Sequence, residues 1–179
     1  MPDRPPLVAR ALELADRLGF ARSCSDETGR LLHVLAAIRG RVRVGEIGTG
    51  CGVGSAWILA GLPPSVPFVT VERDACLAAA AAELLAADAN ATVLAGDWRS
   101  LLPAEAPFDL LFVDARDAKT DPEAIALLAP GGLAVLDDLT PGRGRPDPVR
   151  ELWLGHHDLA GVELGVSEHE TVILAVRAL

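Results

Sequence analysis

The chain has no tyrosine, one lysine, one methionine and three cysteines, and aromatic residues fill only 4% of its 179 positions. Each scarcity removes a class of chemistry. With tyrosine absent, any general base must come from Lys119, the four histidines or the carboxylates. Cys24, Cys51 and Cys76 are widely spaced and form no C-x-x-C pair, which argues against a disulfide framework or a zinc site and suits a reducing cytoplasm. Positive charge is short as well, with 16 Lys and Arg against 25 Asp and Glu, a net charge of −9. That balance lacks the electrostatic term on which nucleic-acid binding rests, so nucleic acid and anionic membrane are disfavoured and a small-molecule substrate is preferred. No uninterrupted apolar window of about 18 residues is present to cross a membrane. The first ten residues, with three prolines and an acid, do not read as a secretory signal.

What is present is 50% hydrophobic and 23% charged, in keeping with one domain over residues 1–179 that buries a sizeable core. Residues 42–57 read V-R-V-G-E-I-G-T-G-C-G-V-G-S-A-W, a short apolar run followed by glycines at 48, 50, 52 and 54. The pattern predicts a buried strand, a tight turn and a helix start, with the turn as a ligand site. The dinucleotide fingerprint G-x-G-x-x-G fails in every register, because its third glycine would fall at Val53, Ser55 or Trp57. An acid on the strand, Glu46, would repel a pyrophosphate and suit an ammonium.

Two helices come first. Leu7, Ala11, Leu14, Ala15 and Leu18 share a face, with Gly19 as the stop; Asp26 caps a second helix carrying Leu31, Leu32, Leu35 and Ile38, stopped at Gly40. From residue 42 strands and helices alternate. Strands are expected near 66–71, 91–95 and 108–114, and a fifth after a proline-glycine turn within 127–138. A helix over 149–154 then leads to strands near 162–166 and 171–176, close enough to form an antiparallel hairpin. The result is an α/β fold with a mostly parallel sheet, in which residues 1–40 cover the site and 41–179 form the core. His33, His156, His157 and His169 are most simply packed or surface residues.

Ligands in such sheets bind outside the carboxyl ends of the strands. Gly48, Glu72, Asp97, Asp114 and Asp137 all fall on that rim. Glu72 is placed to accept hydrogen bonds from two ribose hydroxyls, and Asp97 beside Trp98 to receive a purine amine while the indole covers a ring face.

The motifs E-I-G-T-G-C-G, Glu72, G-D-W, F-D-L-L-F-V-D-A and L-L-A-P-G-G-L-A-V-L-D-D together resemble class I S-adenosylmethionine (SAM)-dependent methyltransferases, in particular the small-molecule O-methyltransferases of the catechol and caffeoyl-CoA type. The resemblance implies a Rossmann-like fold of seven strands with a C-terminal antiparallel hairpin and helices on both faces. It implies SAM held by Glu46, Gly48, Thr49, Gly50, Glu72, Arg73, Gly96, Asp97, Trp98 and Asp114. It also implies a divalent cation, commonly magnesium, on Asp114, Asp137 and Asp138, and methyl transfer to a hydroxyl with Asp114 and Lys119 as catalytic residues. A metal-independent transfer to nitrogen or another acceptor, and a SAM-binding module without turnover, are the alternatives.

Two positions depart from the family's pattern. An Asp-Asp pair replaces Asp-Asn, and Asp117 stands where the family carries its lysine base, three residues after the first acid. Lys119, two residues further on, could swing into the site, but a surface lysine is the preferred expectation, with proton removal falling to a carboxylate or water. The N-terminal region is short for the family, which suggests a pocket left open or completed by the second subunit of a homodimer. Arg143, Arg145 and Arg150, in and after the loop 141–148, are candidate clamps for an acidic substrate.

Overall fold

The computed structural model describes residues 4–142 and 147–179. Strand β1 (Val44–Ile47) is buried along its whole length because it has neighbours on both sides. It pairs in parallel with β2 (Phe68–Glu72) and with β4 (Phe108–Val113). Strand β3 (Ala91–Ala95) extends the parallel sheet beyond β2, and β5 (Leu128–Leu139) beyond β4. Strand β7 (Thr171–Arg177) lies antiparallel to β5, and β6 (Leu159–Gly165) antiparallel to β7, giving a seven-stranded sheet in the order β3-β2-β1-β4-β5-β7-β6. The strand order reverses between β1 and β4, and that switch point is where a crevice for a ligand opens.

Alternation along β4 divides the core between the two faces of the sheet. Leu110 and Phe112 pack with Leu32, Trp57 and Ile58, whereas Leu111 and Val113 pack with Trp98, Leu102 and Trp153. Helix α3 (Val53–Gly61) is buried from Val53 through Leu59. A helix that is apolar all round must be covered, and α1 (Pro6–Leu18) and α2 (Asp26–Ala36) pack onto it. Gly29 of α2 makes this approach possible, since a Cβ there would overlap the Trp57 indole. Helices α4 (Ala75–Leu85), α5 (Trp98–Leu101), α6 (Glu123–Ala126) and α7 (Pro148–Gly155) follow in chain order. No helix among the described residues is long and apolar enough to cross a membrane.

Glu46 is the acid inside β1, and it is 1% exposed. Its carboxylate accepts hydrogen bonds from Ser55 of α3 and from Thr70 Oγ1 of β2 at 2.6 Å, so one group ties three elements. Gly54 leaves room for it, because a Cβ there would stand 2.5 Å from Glu46 Oε1. Burial pushes the Glu46 carboxyl up to about 7, against the opposing effect of the two hydroxyls.

Several element ends differ from those expected. Helix α2 is capped by Ser25, whose side chain accepts from Thr28 N, and Asp26 is already helical. The helix ends at Ala36, and Ile38 beyond it is 49% exposed instead of sharing the apolar face. Strand β2 starts at Phe68, because Pro67 has no N–H for the ladder. Strand β5 absorbs the proline-glycine turn as a bulge, with a register shift between Phe108 and Leu110. Strand β6 begins at Leu159, three residues early.

Two predictions follow from this packing. Gly29→Ala overpacks the α2–α3 contact and should cost about 1–3 kcal/mol, read as a fall of roughly 2–4 °C per kcal/mol in thermal midpoint. Glu46 holds its proton to higher pH when folded than at its unperturbed value of 4.5, so stability falls as pH rises from about 4.5 to 7. The loss should total roughly 3 kcal/mol. Urea titrations from pH 5 to 8 should show a flatter slope for Glu46→Gln than for the unaltered protein.

Candidate active site

The turn after β1 is held by backbone. Gly48 N and Thr49 N both donate to Val71 O, at 3.0 and 3.2 Å, and Gly52 N donates to Thr49 O at 2.8 Å. Gly48 has φ +99°, and a Cβ on it would stand 2.8 Å from Ala115 N, so the turn lies directly against the segment following β4. Glu72 faces the turn from the end of β2. Its Oε2 accepts from Gly50 N at 2.8 Å and its Oε1 from Asp74 N at 2.9 Å. Both oxygens are therefore fixed in direction while keeping lone pairs for further donors.

A cavity of about 960 Å³ opens over this end of the sheet. Gly48, Gly50, Glu72, Arg73, Gly96 and Trp98 line it, as do Asp114 directly after β4, Lys119 from the turn beyond it and Asp138 near the end of β5. Four of the expected residues lie elsewhere. Glu46 stands behind the turn with its carboxylate already engaged, and Thr49 is buried with its hydroxyl 2.6 Å from that of Thr70. Asp97 is exposed off the cavity wall and caps α5 by accepting from Arg99 N at 2.9 Å. Asp137 is fully buried beneath the wall. Trp98 is only 4% exposed, and the Arg99 guanidinium covers its ring 4.5 Å from the centroid, so it offers the cavity little more than an edge.

Arg73 and Arg99 both reach Asp117 Oδ2, at 3.2 and 2.9 Å, and Arg99 continues to Asp121 at 2.7 Å. Burial acts to raise the Asp117 carboxyl, but Arg99 and Arg73 outweigh it and hold it below the usual range. That residue is thus occupied as an ion-pair partner and is no base.

The expectation of a surface lysine is overturned. Lys119 is 6% exposed, on the 3₁₀ turn Ala118–Thr120, and its ammonium sits among three acids. Nζ lies 2.8 Å from Asp137 Oδ1, 3.0 Å from the Asp137 carbonyl oxygen, 3.5 Å from Asp114 Oδ1 and 4.0 Å from Asp138 Oδ2. The backbone carbonyl of Lys119 accepts from the indole of the fully buried Trp153 at 2.9 Å. Burial acts to lower the lysine, but Asp137 and Asp114 raise it above its ordinary value, so it remains an ammonium. Burial, the facing Asp137 and Asp138 push the Asp114 carboxyl well up, Lys119 opposing. Burial also pushes the Asp137 carboxyl up, Lys119 opposing, and its buried Oδ2 has no hydrogen-bond partner among the described residues.

Side chains of successive strand residues normally point to opposite faces. Asp138 has φ +57° and the β5–β7 register shifts between Leu136 and Leu139, which turns its carboxylate toward the same cluster. One oxygen each from Asp114, Asp137 and Asp138 then lies within 4.8 Å of the others.

Sequence reasoning missed part of the wall. Phe20 and Arg22 line the cavity, and a Cβ on Gly50 would meet the Phe20 ring at 2.8 Å. The available signal was a large aromatic directly after the stop glycine of α1. Arg150 is no free clamp, since it is bound to Asp147 and Glu163. Arg143 and Arg145 lie outside the described residues.

The sequence profile of a family described as a methyltransferase domain matches residues 46–139. A Mycobacteroides abscessus protein whose name assigns it to the O-methyltransferases is 33% identical over 152 residues, 79% of this chain and 70% of that protein. Among solved structures, the O-methyltransferase TomG from Streptomyces achromogenes, involved in tomaymycin synthesis and solved in complex with SAM, superposes with a TM-score of 0.81 at 28% identity, covering 99% of this chain and 92% of that one. Cofactor-bound Rv0187 from MTB gives 0.85 at 27% identity, with 99% and 92% covered. With its glycine turn, its strand-end acids and these relatives, the chain belongs to the methyltransferase family, among the SAM-dependent O-methyltransferases.

Proposed function

We propose that this enzyme moves the methyl group of SAM to a hydroxyl of a small-molecule acceptor. The observation that carries the reading is a single cavity lined both by a glycine turn with a fixed strand-end carboxylate and by a lysine set among acids. In this reading the turn at Gly48 and Gly50 receives the amino-acid part of SAM, and Glu72 receives the ribose hydroxyls. Gly96 and the edge of Trp98 bound the adenine end. Glu46, Thr49 and Asp97 act indirectly, by holding β1, the turn and α5 in place, and Arg73 by fixing Asp117.

SAM brings its own reactive methyl, so the protein's task is to set the acceptor oxygen in line with the methyl–sulfur bond and to favour its loss of a proton. Lys119 Nζ donates to that oxygen and stabilises the negative charge that develops on it. The hydroxyl proton passes to Asp138, whose carboxylate is on the cavity rim, and from there to water. The oxygen–methyl bond forms as the methyl–sulfur bond breaks, with the electron pair staying on sulfur. Asp114 and Asp137 hold the ammonium in position.

The resemblance implies a divalent cation on Asp114, Asp137 and Asp138. Carboxylate oxygens are suitable donors for magnesium. The residues nevertheless do not fit an added dication as they stand, because the Lys119 ammonium already lies within 4.0 Å of all three carboxylates. A second positive centre among the same oxygens would face it across a single contact and be repelled.

Glu72→Ala should weaken S-adenosylhomocysteine binding about 10–100-fold by isothermal titration, as expected for loss of charge-assisted hydrogen bonds. Lys119→Met should lower kcat on a phenolic acceptor roughly 100–1,000-fold while the homocysteine ligand still binds within about threefold of the unaltered affinity. Equal loss of binding and turnover in Lys119→Met would argue for a role in the cofactor site instead.

A further inference from the structure

We propose that the Lys119 ammonium stands in for the metal between Asp114, Asp137 and Asp138, so that methyl transfer proceeds without a divalent cation and without need of two adjacent hydroxyls on the acceptor. The inference rests on the methyl-transfer reading for its second half only; the first half concerns what the acid cluster binds.

The ammonium is built in. Its side chain is 7% exposed, its closest acid is wholly buried, and two of its contacts go to one residue, the Oδ1 and carbonyl oxygens of Asp137. The 3₁₀ turn that carries it is fixed from two sides. Lys119 N donates to Ala115 O at 3.1 Å, and Trp153 Nε1 to Lys119 O at 2.9 Å. A surface lysine that had merely folded inward would not have a buried indole holding its carbonyl.

Residue choice points the same way. Fifteen of the chain's 16 basic residues are arginine, and the one lysine is here. Arginine is a planar fork suited to paired contacts with one carboxylate, whereas lysine is a compact point charge with three rotatable donors. Three carboxylates converging within 4.8 Å call for a compact charge. One of the two departures from the family's pattern is accounted for in this way. The lysine has moved two residues along, onto a turn that brings it among the acids, and Asp117, left in its former place, is held by Arg73 and Arg99.

The substitution has a chemical consequence. A divalent cation can chelate two neighbouring oxygens and so select vicinal diols. An ammonium donates to a single oxygen and favours its anionic form, but it imposes no such bite. Phenols with one hydroxyl should therefore serve as acceptors as well as catechols do.

The test is a titration of the full-length protein with Mn²⁺, followed by electron paramagnetic resonance of the free ion. Alongside it, methyl transfer to phenol and catechol acceptors is measured in excess chelator and in excess magnesium. The unaltered enzyme is expected to show no saturable Mn²⁺ binding, and its turnover should be the same in chelator and magnesium. Lys119→Met, which leaves the acids without a counter-ion, should bind Mn²⁺ at least about 100-fold more tightly than the unaltered chain. Lys119→Gln provides a second variant, and homocysteine-ligand binding reports whether either is folded. One Mn²⁺ bound per unaltered chain at micromolar concentration, or turnover abolished by chelator and restored by magnesium, would overturn the proposal. Transfer to catechols with none to single-hydroxyl phenols would overturn its acceptor half. If no acceptor is methylated while the homocysteine ligand binds, the methyl-transfer reading fails, and the Mn²⁺ titration still decides what the acids hold.

Discussion

Lys119 and Asp137 meet at 2.8 Å with almost no access to water, and the end of the cavity formed after β4 and on β5 is arranged around that contact. An ion taken out of water is tolerated only if its partners replace what the solvent supplied. Asp137 supplies two oxygens and Asp114 a third, and the left-handed Asp138 folds a further carboxylate inward. Removing either partner of such a pair typically costs about 3–5 kcal/mol, because the other is left charged and unpaired. This demand links the ends of β4 and β5 to the 3₁₀ turn and, through Trp153, to α7.

The two ends of the cavity solve different problems by different means. Around the glycine turn the wall is chiefly backbone: amides that pin the turn to Val71, glycines that let chain meet chain, and one carboxylate held by two main-chain donors. A ligand with a constant shape can be met by such a surface. Around Lys119 the wall is made of charged side chains, whose reach and direction can change with single substitutions. Preorganisation is common to both ends, since Glu72 and Lys119 are each held in direction by fixed partners.

Much of the architecture was readable from the amino acids because strand and turn signals are local. The glycine turn, the acids closing β2 and β4, and the apolar run of β4 fell where alternation and turn chemistry put them. Element ends were less legible when tertiary contacts decided them. Ser25 displaced Asp26 as the cap of α2, and β5 ran on through a proline-glycine pair because a bulge let it keep pairing with β4. Of the residues singled out from the sequence, those of the glycine turn and most of the strand-end acids line the cavity, whereas Glu46, Thr49, Asp97 and Asp137 do not. Nothing local distinguishes Glu46, held inside by Ser55 and Thr70, from an acid facing a ligand. Nothing local marks Lys119 as buried either, since the partners that make burial tolerable come from Asp137 and Trp153, 18 and 34 residues away.

Trp153 hands on a further consequence. Its ring is packed in the core from α7, and its indole holds the carbonyl of Lys119, so a helix that contributes Pro148 and Val149 to the cavity wall also sets the backbone of the buried lysine. In the proposed reading, acceptor preference and reactivity are thereby geared together. An engineer who rebuilds α7 to admit a bulkier molecule will shift the amine as well, and a successful redesign will have to alter wall and lever in the same step.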